Sequence, residues 1–295
     1  MIYFLSIIDV DSLDKVVPLQ SSLNRFGFDL TLLTTYNKEI GNHSKIINVS
    51  EYLQTQSFSS DDYIFLVDAF DCVMTKHPDE FINWMKSQNI DIFISTETGW
   101  GNKPQSVKRY FDYYQSKMNS HNRSICAGAL VAKANSLKEF MLDMTSSMSR
   151  YCAEIEKDYF ETWGNNIPTK LRYSDQYYMA YYLWKIDFVN YQKLSIHLDF
   201  KDKCFFTWSQ NVKMSINKYV FVHVWALQCD NQFNRWLGLL RMIDILPIPP
   251  DFDWKFYLEN HQDLILAGLK TEQDAQKHYI KWGKSEQRVY RKTVL

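Results

Sequence analysis

The sequence predicts an α/β fold, a mostly parallel sheet covered by helices, and three observations carry that expectation. Strand-like apolar runs recur at Tyr3 to Ile8, Leu30 to Thr34, Tyr63 to Val67, Asp91 to Ser95, Ile125 to Ala132, Asp187 to Tyr191 and Tyr219 to Val224. Helix-like stretches at Leu13 to Arg25, Asp79 to Ser87 and Ser136 to Glu154 alternate with the earlier runs, as βαβ units require. A length of 295 residues suffices for one large domain with a sizeable core and a small appendage.

The elements follow in order. Met1 to Val10 lacks a basic leader region and is interrupted by Asp9, so it reads as a first strand and not as a signal peptide. Tyr63 to Val67 is five consecutive apolar residues, aromatic or branched for the most part, and reads as a strand buried on both faces. Asn231 to Ile245 is helix-like and runs into Leu246-Pro247-Ile248-Pro249-Pro250, whose prolines favour an extended linker. The expected division is therefore 1–246 for the main domain and 247–295 for the linker and a small helical unit. In that unit Thr271 and Asp274 mark a helix start and Gly283 a stop.

Composition narrows the function classes. With 33 basic against 34 acidic residues there is no net field to draw nucleic acid or an anionic membrane, so an anionic ligand must be held by local groups. No stretch reaches membrane-spanning length. Aromatic residues make up 16% of the chain, which serves an aromatic core or the flat walls of a sugar site equally well. Cys72, Cys126, Cys152, Cys204 and Cys229 are odd in number and show no CxxC spacing. They read as reduced core residues and, with no leader, point to the cytoplasm in preference to a secretory lumen, where the sequons at Asn42, Asn48 and Asn122 would matter.

The candidate chemistry gathers at strand ends. Asp68 and Asp71 close the Tyr63 to Val67 strand three residues apart. Two such carboxylates repel one another unless a cation lies between them, and their oxygens suit Mn²⁺ or Mg²⁺ holding a phosphorylated substrate. A strand-ending Asp turn explains the pair equally well. Lys45 follows the Gly41 loop near a helix start, where it meets a phosphate or simply water. Trp100 follows the strand Asp91 to Ser95, as a sugar-pocket wall or a core cap. Cys126-Ala127-Gly128-Ala129 is a small-residue stretch in a strand, which lets a ligand or another backbone approach. Ser174 and Asp175 open a helix, where capping suffices to explain them. His223 is the one histidine embedded in an apolar strand; it is a core residue or a third metal ligand.

Taken in order, Ser44-Lys45-Ile46, Asp68-Ala69-Phe70-Asp71, Thr96-Glu97 with Trp100, Cys126 to Ala129, Asp175-Gln176, Leu194 to Asp199 and His223 resemble the glycosyltransferase domain of the procollagen lysyl hydroxylase family. The resemblance spans roughly Met1 to Ile245 and lies in the order of the motifs. It implies a GT-A-type mixed sheet flanked by helices and the retaining transfer of glucose or galactose from a UDP-sugar to a hydroxyl. The acceptor would be a glycan or a protein, such as the hydroxylysine-linked sugar of a collagen-like chain. It further implies Asp68, Asp71 and His223 as metal ligands and Asp175 and Gln176 as catalytic residues. Lys45, Asp68, Phe70, Trp100, Cys126 and Asp199 would contact the donor, with Phe70 on the uracil. Asp175 by itself does not decide between retention and inversion.

Departures from the family pattern are specific. Cys126 stands for an asparagine, Ser174 for an aspartate, and His223 is followed by Val224-Trp225-Ala226 in place of Gly-Asn-Gly. They leave two other readings open: a binding scaffold that has lost turnover, and a metal-dependent nucleotidyltransferase or phosphodiesterase, which would need more ligands than the sequence offers. Oligomeric state stays open. The tail resembles short modules appended to other glycosyltransferases and suggests docking or acceptor positioning.

Overall fold

A computed structural model describes residues 1–8, 13, 15–34, 41–98, 113, 116, 123–164, 174–199, 201, 203–207, 218–224, 230–245, 248–249, 251–284 and 286–291. Two compact units emerge, Met1–Trp225 and Ala226–Leu295. The first is a mixed α/β unit. Its six-stranded sheet has the order β2-β1-β3-β6-β5-β7, formed by β1 (Ile2–Ile7), β2 (Leu30–Leu33), β3 (Tyr63–Val67), β5 (Ile92–Thr98), β6 (Arg123–Lys133) and β7 (Ile196–Leu198). β1 is parallel to β2 and β3, β6 runs antiparallel between β3 and β5, and β7 is parallel to β5. A three-stranded sheet of β4 (Cys72–Met74), β9 (Phe221–His223) and β8 (Phe205–Thr207) stands beside it.

β3 shows why the sequence folds this way. Its side chains alternate between the two faces of the sheet, as strand geometry demands. Ile64 and Leu66 join one apolar cluster with Ile46, Val49 and Leu53 of α2 (His43–Thr55), Leu137 and Phe140 of α4 (Ala134–Trp163), and Tyr178 and Leu183 of α5 (Asp175–Lys185). Tyr63, Phe65 and Val67 join a second with Leu19 and Leu23 of α1 (Val17–Asn24), Phe81 and Met85 of α3 (Asp79–Ser87), and Phe221 of β9. A strand covered on both faces has no polar alternation to show, which is why it reads as an unbroken apolar run. Its C-terminal end delivers Asp68, whose N–H continues the ladder to the Gly128 carbonyl at 2.7 Å.

Several expectations need correction. Asp187 to Tyr191 is not a strand: Asp187 has φ +46°, a left-handed geometry that ends α5 in a turn, and the edge strand is Ile196–Leu198. The first helix starts at Val17 and not at Leu13, with Pro18 in its opening turn. Two three-residue strands, β4 and β8, were too short for periodicity to reveal. The mixed sheet flanked by helices that the resemblance implies is present, with the Ile125 to Ala132 strand antiparallel to both neighbours.

The second unit contains α6 (Asp230–Met242), α7 (Trp254–Asn260), α8 (Gln262–Leu266) and α9 (Glu272–His278), followed by one π-helical turn, Tyr279–Gly283. The expected boundary after residue 246 thus falls within this unit, because α6 clusters with it. Arg241 of α6 donates to the Gln276 side chain of α9 at 2.8 Å. Thr271 and Asp274 form a full capping box, and Gly283 ends the π turn where an added Cβ would lie 2.0 Å from the Tyr257 hydroxyl oxygen. None of the helices, among the described residues, is long and apolar enough to cross a membrane.

Candidate functional site

Four elements of the first unit converge at the C-terminal end of β3. Asp68 leaves β3, and Asp71 precedes β4 in the next turn. His223 ends β9 and stands opposite Cys72 in the β4–β9 ladder. β6 passes behind with Cys126, Ala127 and Gly128. Gly128 is required by space: a Cβ there would lie 2.8 Å from Asp68 Oδ2 and 2.8 Å from His223 Cε1. The small-residue stretch therefore serves the approach of two polar side chains to the strand.

Polar contacts tie these groups together. Asp71 Oδ2 lies 3.2 Å from His223 Nε2, and Cys126 Sγ lies 3.4 Å from His223 Nδ1. Asp71 Oδ1 is buried and has no hydrogen-bond partner among the described residues. An orphaned buried carboxylate oxygen is costly unless something fills its place. Burial alone would push the His223 imidazole down, but Asp71 and the neighbouring thiols outweigh it and hold His223 well above its ordinary range. Burial pushes the thiols of Cys72 and Cys126 up.

Lys45 enters from the first turn of α2, which begins at His43. It is not a solvated lysine. Its ammonium is buried, donates to Asp68 Oδ1 and to the Ala127 carbonyl at 2.9 Å, and lies 3.9 Å from Asp175 Oδ2. Burial opposes its charge, but Asp68 and Asp175 outweigh burial and hold its pKa above the usual lysine range. In turn, burial would raise Asp68, and Lys45 with His223 hold it below the usual carboxylate range.

Asp175 opens α5 behind a Ser174 cap, whose side chain accepts from Tyr177 N at 3.3 Å. Burial pushes the Asp175 carboxyl up to about 6, against the pull of Lys45 and with the help of Asp68. Gln176 beside it donates to Glu97 Oε1 at 2.6 Å, so β5 fixes that amide. The Asp175 shift has a measurable consequence. Between the ordinary value of 3.8 and about 6 the folded chain keeps a proton that the unfolded chain has released. The stability this group contributes is full below 3.8 and is lost as pH rises through about 6. Asp175→Asn is therefore expected to gain on the wild type by about 2–3 kcal/mol across that interval. Paired thermal melts from pH 4 to pH 7 check this; a constant offset at every pH would contradict it.

The structure thus brings together Lys45, Asp68, Asp71, Cys126, Asp175, Gln176 and His223. Asp199 is placed differently. Its buried carboxylate accepts from the backbone N–H groups of Lys203, Cys204 and Phe205 at 2.6, 2.9 and 2.9 Å, tying the start of β8 to the end of β7. Phe70 packs with Ile8, Val16 and Ala69, and the Lys15 ammonium stands 5.6 Å from its ring centre. Trp100 lies outside the described residues. Sequence reasoning passed over Gly128, Glu97 and Cys72 as site residues, although the glycine in a strand was a signal for the first.

The donor set that could hold a divalent ion is Asp71, Cys72 and His223, whose ligating atoms lie within 4.8 Å of one another; Asp68 stands outside that group and is paired with Lys45. No protein-family model matches the sequence, and no curated protein does. Similar solved structures include a glycosyltransferase involved in the glycosylation of the major capsid of PBCV-1, at 14% identity over 82% of this chain and 98% of that one, with a TM-score of 0.46. They also include the galactosyltransferase LgtC in complex with donor and acceptor sugar analogs, at 8% identity over 86% of this chain and 99% of that one, with a TM-score of 0.47. An active-site mutant of LgtC is similar at 9% identity, with the same coverage and TM-score. Likeness of this degree carries no weight for ligand or reaction, which rest on the side chains at the end of β3.

Proposed function

We propose that this chain is a metal-dependent glycosyltransferase of GT-A type that moves glucose or galactose from a UDP-sugar to a hydroxyl of a glycan or protein acceptor, with retention of configuration. The observation that carries the reading is that Asp68 and His223 meet at Gly128, with Asp71 on the far side of the imidazole, and that a buried cation, Lys45, joins Asp68 to a third acid, Asp175. The order of the sequence motifs supplies the nucleotide-sugar class. A divalent ion held by Asp68, Asp71 and His223, Mn²⁺ or Mg²⁺, would supply Lewis-acid stabilisation to a departing diphosphate.

The chain's own groups have separate tasks. Lys45 keeps a positive charge at the site, shared with Asp68 and Asp175, and would meet an anionic leaving group there. Asp175, balanced near pH 6, changes protonation within the working range of an enzyme. Gln176, fixed by Glu97, orients a sugar hydroxyl through the rest of its amide. In this reading Trp100 walls the sugar pocket, Phe70 meets the uracil, and Cys126 lies under the donor. Asp199 acts on the donor only through the backbone it braces. The tail, residues 247–295, docks or positions the acceptor.

A scaffold without turnover draws support from one observation, namely that Lys45 already neutralises Asp68. The deciding experiment is nucleotide release from UDP-, GDP- and CMP-sugars with and without Mn²⁺, paired with calorimetry of UDP binding. Mn²⁺-dependent release of UDP is expected. UDP binding with no release from any sugar, or no metal-dependent binding of any nucleotide, would sink turnover and leave the scaffold.

A further inference from the structure

We propose that the centre at the end of β3 takes a thiophilic divalent ion, Zn²⁺ or Co²⁺, with Cys72 as a sulfur ligand beside Asp71 and His223. The inference rests on the metal-centre reading above and specifies its ligands. Asp71, Cys72 and His223 each bring a ligating atom within 4.8 Å of the others. No other such group of three occurs among the described residues.

Strand register explains why the sulfur is there. The Asp71 carbonyl accepts from Val224 N at 2.8 Å, and the Val220 carbonyl accepts from Thr75 N at 2.8 Å. In the register that pairs Cys72 with His223, those bonds fall on alternate positions, so Cys72 and His223 form a non-hydrogen-bonded pair. Side chains come closest at such pairs. Cys72 Sγ also lies 3.7 Å from the Gly128 carbonyl oxygen, at the strand that Asp68 and His223 approach.

Ring orientation points the same way. His223 turns Nε2 to Asp71 at 3.2 Å and Nδ1 to Cys126 Sγ at 3.4 Å. One nitrogen is thus presented to Asp71, and the other is held by a second sulfur, the arrangement by which an outer partner orients a ligating histidine. The orphaned Asp71 Oδ1 supplies an oxygen that nothing else in the described chain uses. Sulfur, nitrogen and oxygen together suit Zn²⁺ or Co²⁺ better than Mg²⁺ or Mn²⁺, which favour oxygen-rich shells.

The test uses the full chain, stripped with a chelator and titrated with Co²⁺. A sulfur-to-cobalt charge-transfer band in the near ultraviolet is expected, saturating at one equivalent. It should be lost in Cys72→Ser and kept in Cys152→Ser. In competition titrations Cys72→Ser should weaken Zn²⁺ by at least about tenfold and leave Mn²⁺ within about twofold. If the Cys72 variant fails to fold, a Cys126→Ser variant that keeps the band assigns the sulfur to Cys72, and one that loses it overturns the assignment. Visible cobalt d–d absorption without the charge-transfer band would overturn the sulfur ligand and leave the metal centre of the proposed function standing. Failure to take up Co²⁺, Zn²⁺ or Mn²⁺ at all would overturn both.

Discussion

Replacing Gly128 with alanine is expected to cut metal-dependent turnover by at least about a hundredfold with the fold intact. The added Cβ would stand 2.8 Å from both Asp68 Oδ2 and His223 Cε1, closer than such atoms can come. Recoil by either neighbour disturbs a contact of the site. Asp68 is held by Lys45 and by its own N–H on the Gly128 carbonyl, and His223 is held between Asp71 and Cys126. The strain is relieved by pushing a ligand aside, and a misplacement of about 1 Å in a reacting array can cost on the order of 10²-fold. The backbone at Gly128 has no left-handed φ, so alanine meets no conformational penalty there and the effect is one of space alone. Nucleotide-release rates beside circular dichroism melts check it. Turnover within threefold of wild type would show that Asp68 and His223 do not act as one centre.

What the sequence could yield follows from how each feature is encoded. β3 is written in consecutive residues, and its two-sided burial leaves a continuous apolar run that points directly to Asp68 and Asp71 at its end. The capping box at Thr271 is equally local. The pairing of Cys72 with His223 is not. It joins residues far apart through two strands of three residues each, shorter than the span over which periodicity can be counted. Asp199 shows the opposite hazard. A carboxylate beside a strand end suggests a ligand contact, yet three backbone N–H groups from the following segment claim its oxygens. Cys126 stands where the family pattern has an asparagine, and only the meeting of β6 with β9 shows the thiol to be a neighbour of the imidazole.

Lys45→Met is expected to destabilise the chain by about 2–4 kcal/mol at pH 7. Removing the ammonium leaves Asp68 and Asp175 as two carboxylates without their shared cation, and breaking a buried pair costs more than the pair itself is worth. The figure lies below that of a fully buried pair because the Asp68 side chain is 40% exposed and water screens part of the loss. The sign of the pH dependence follows from Asp68. Its folded pKa is depressed, so its stabilisation is present above the ordinary 3.8 and is lost as pH falls through the lower folded value. The gap between wild type and variant should therefore be widest near neutrality and close in acid, as urea denaturation at a series of pH values will show. Mn²⁺ or Zn²⁺ should raise the melting temperature of the variant more than that of the wild type, because the ion then supplies the positive charge that Lys45 provided. A variant whose stability ignores both pH and metal would show Lys45 to be an ordinary packed side chain and would remove the electrostatic link between α2 and the carboxylates at the end of β3.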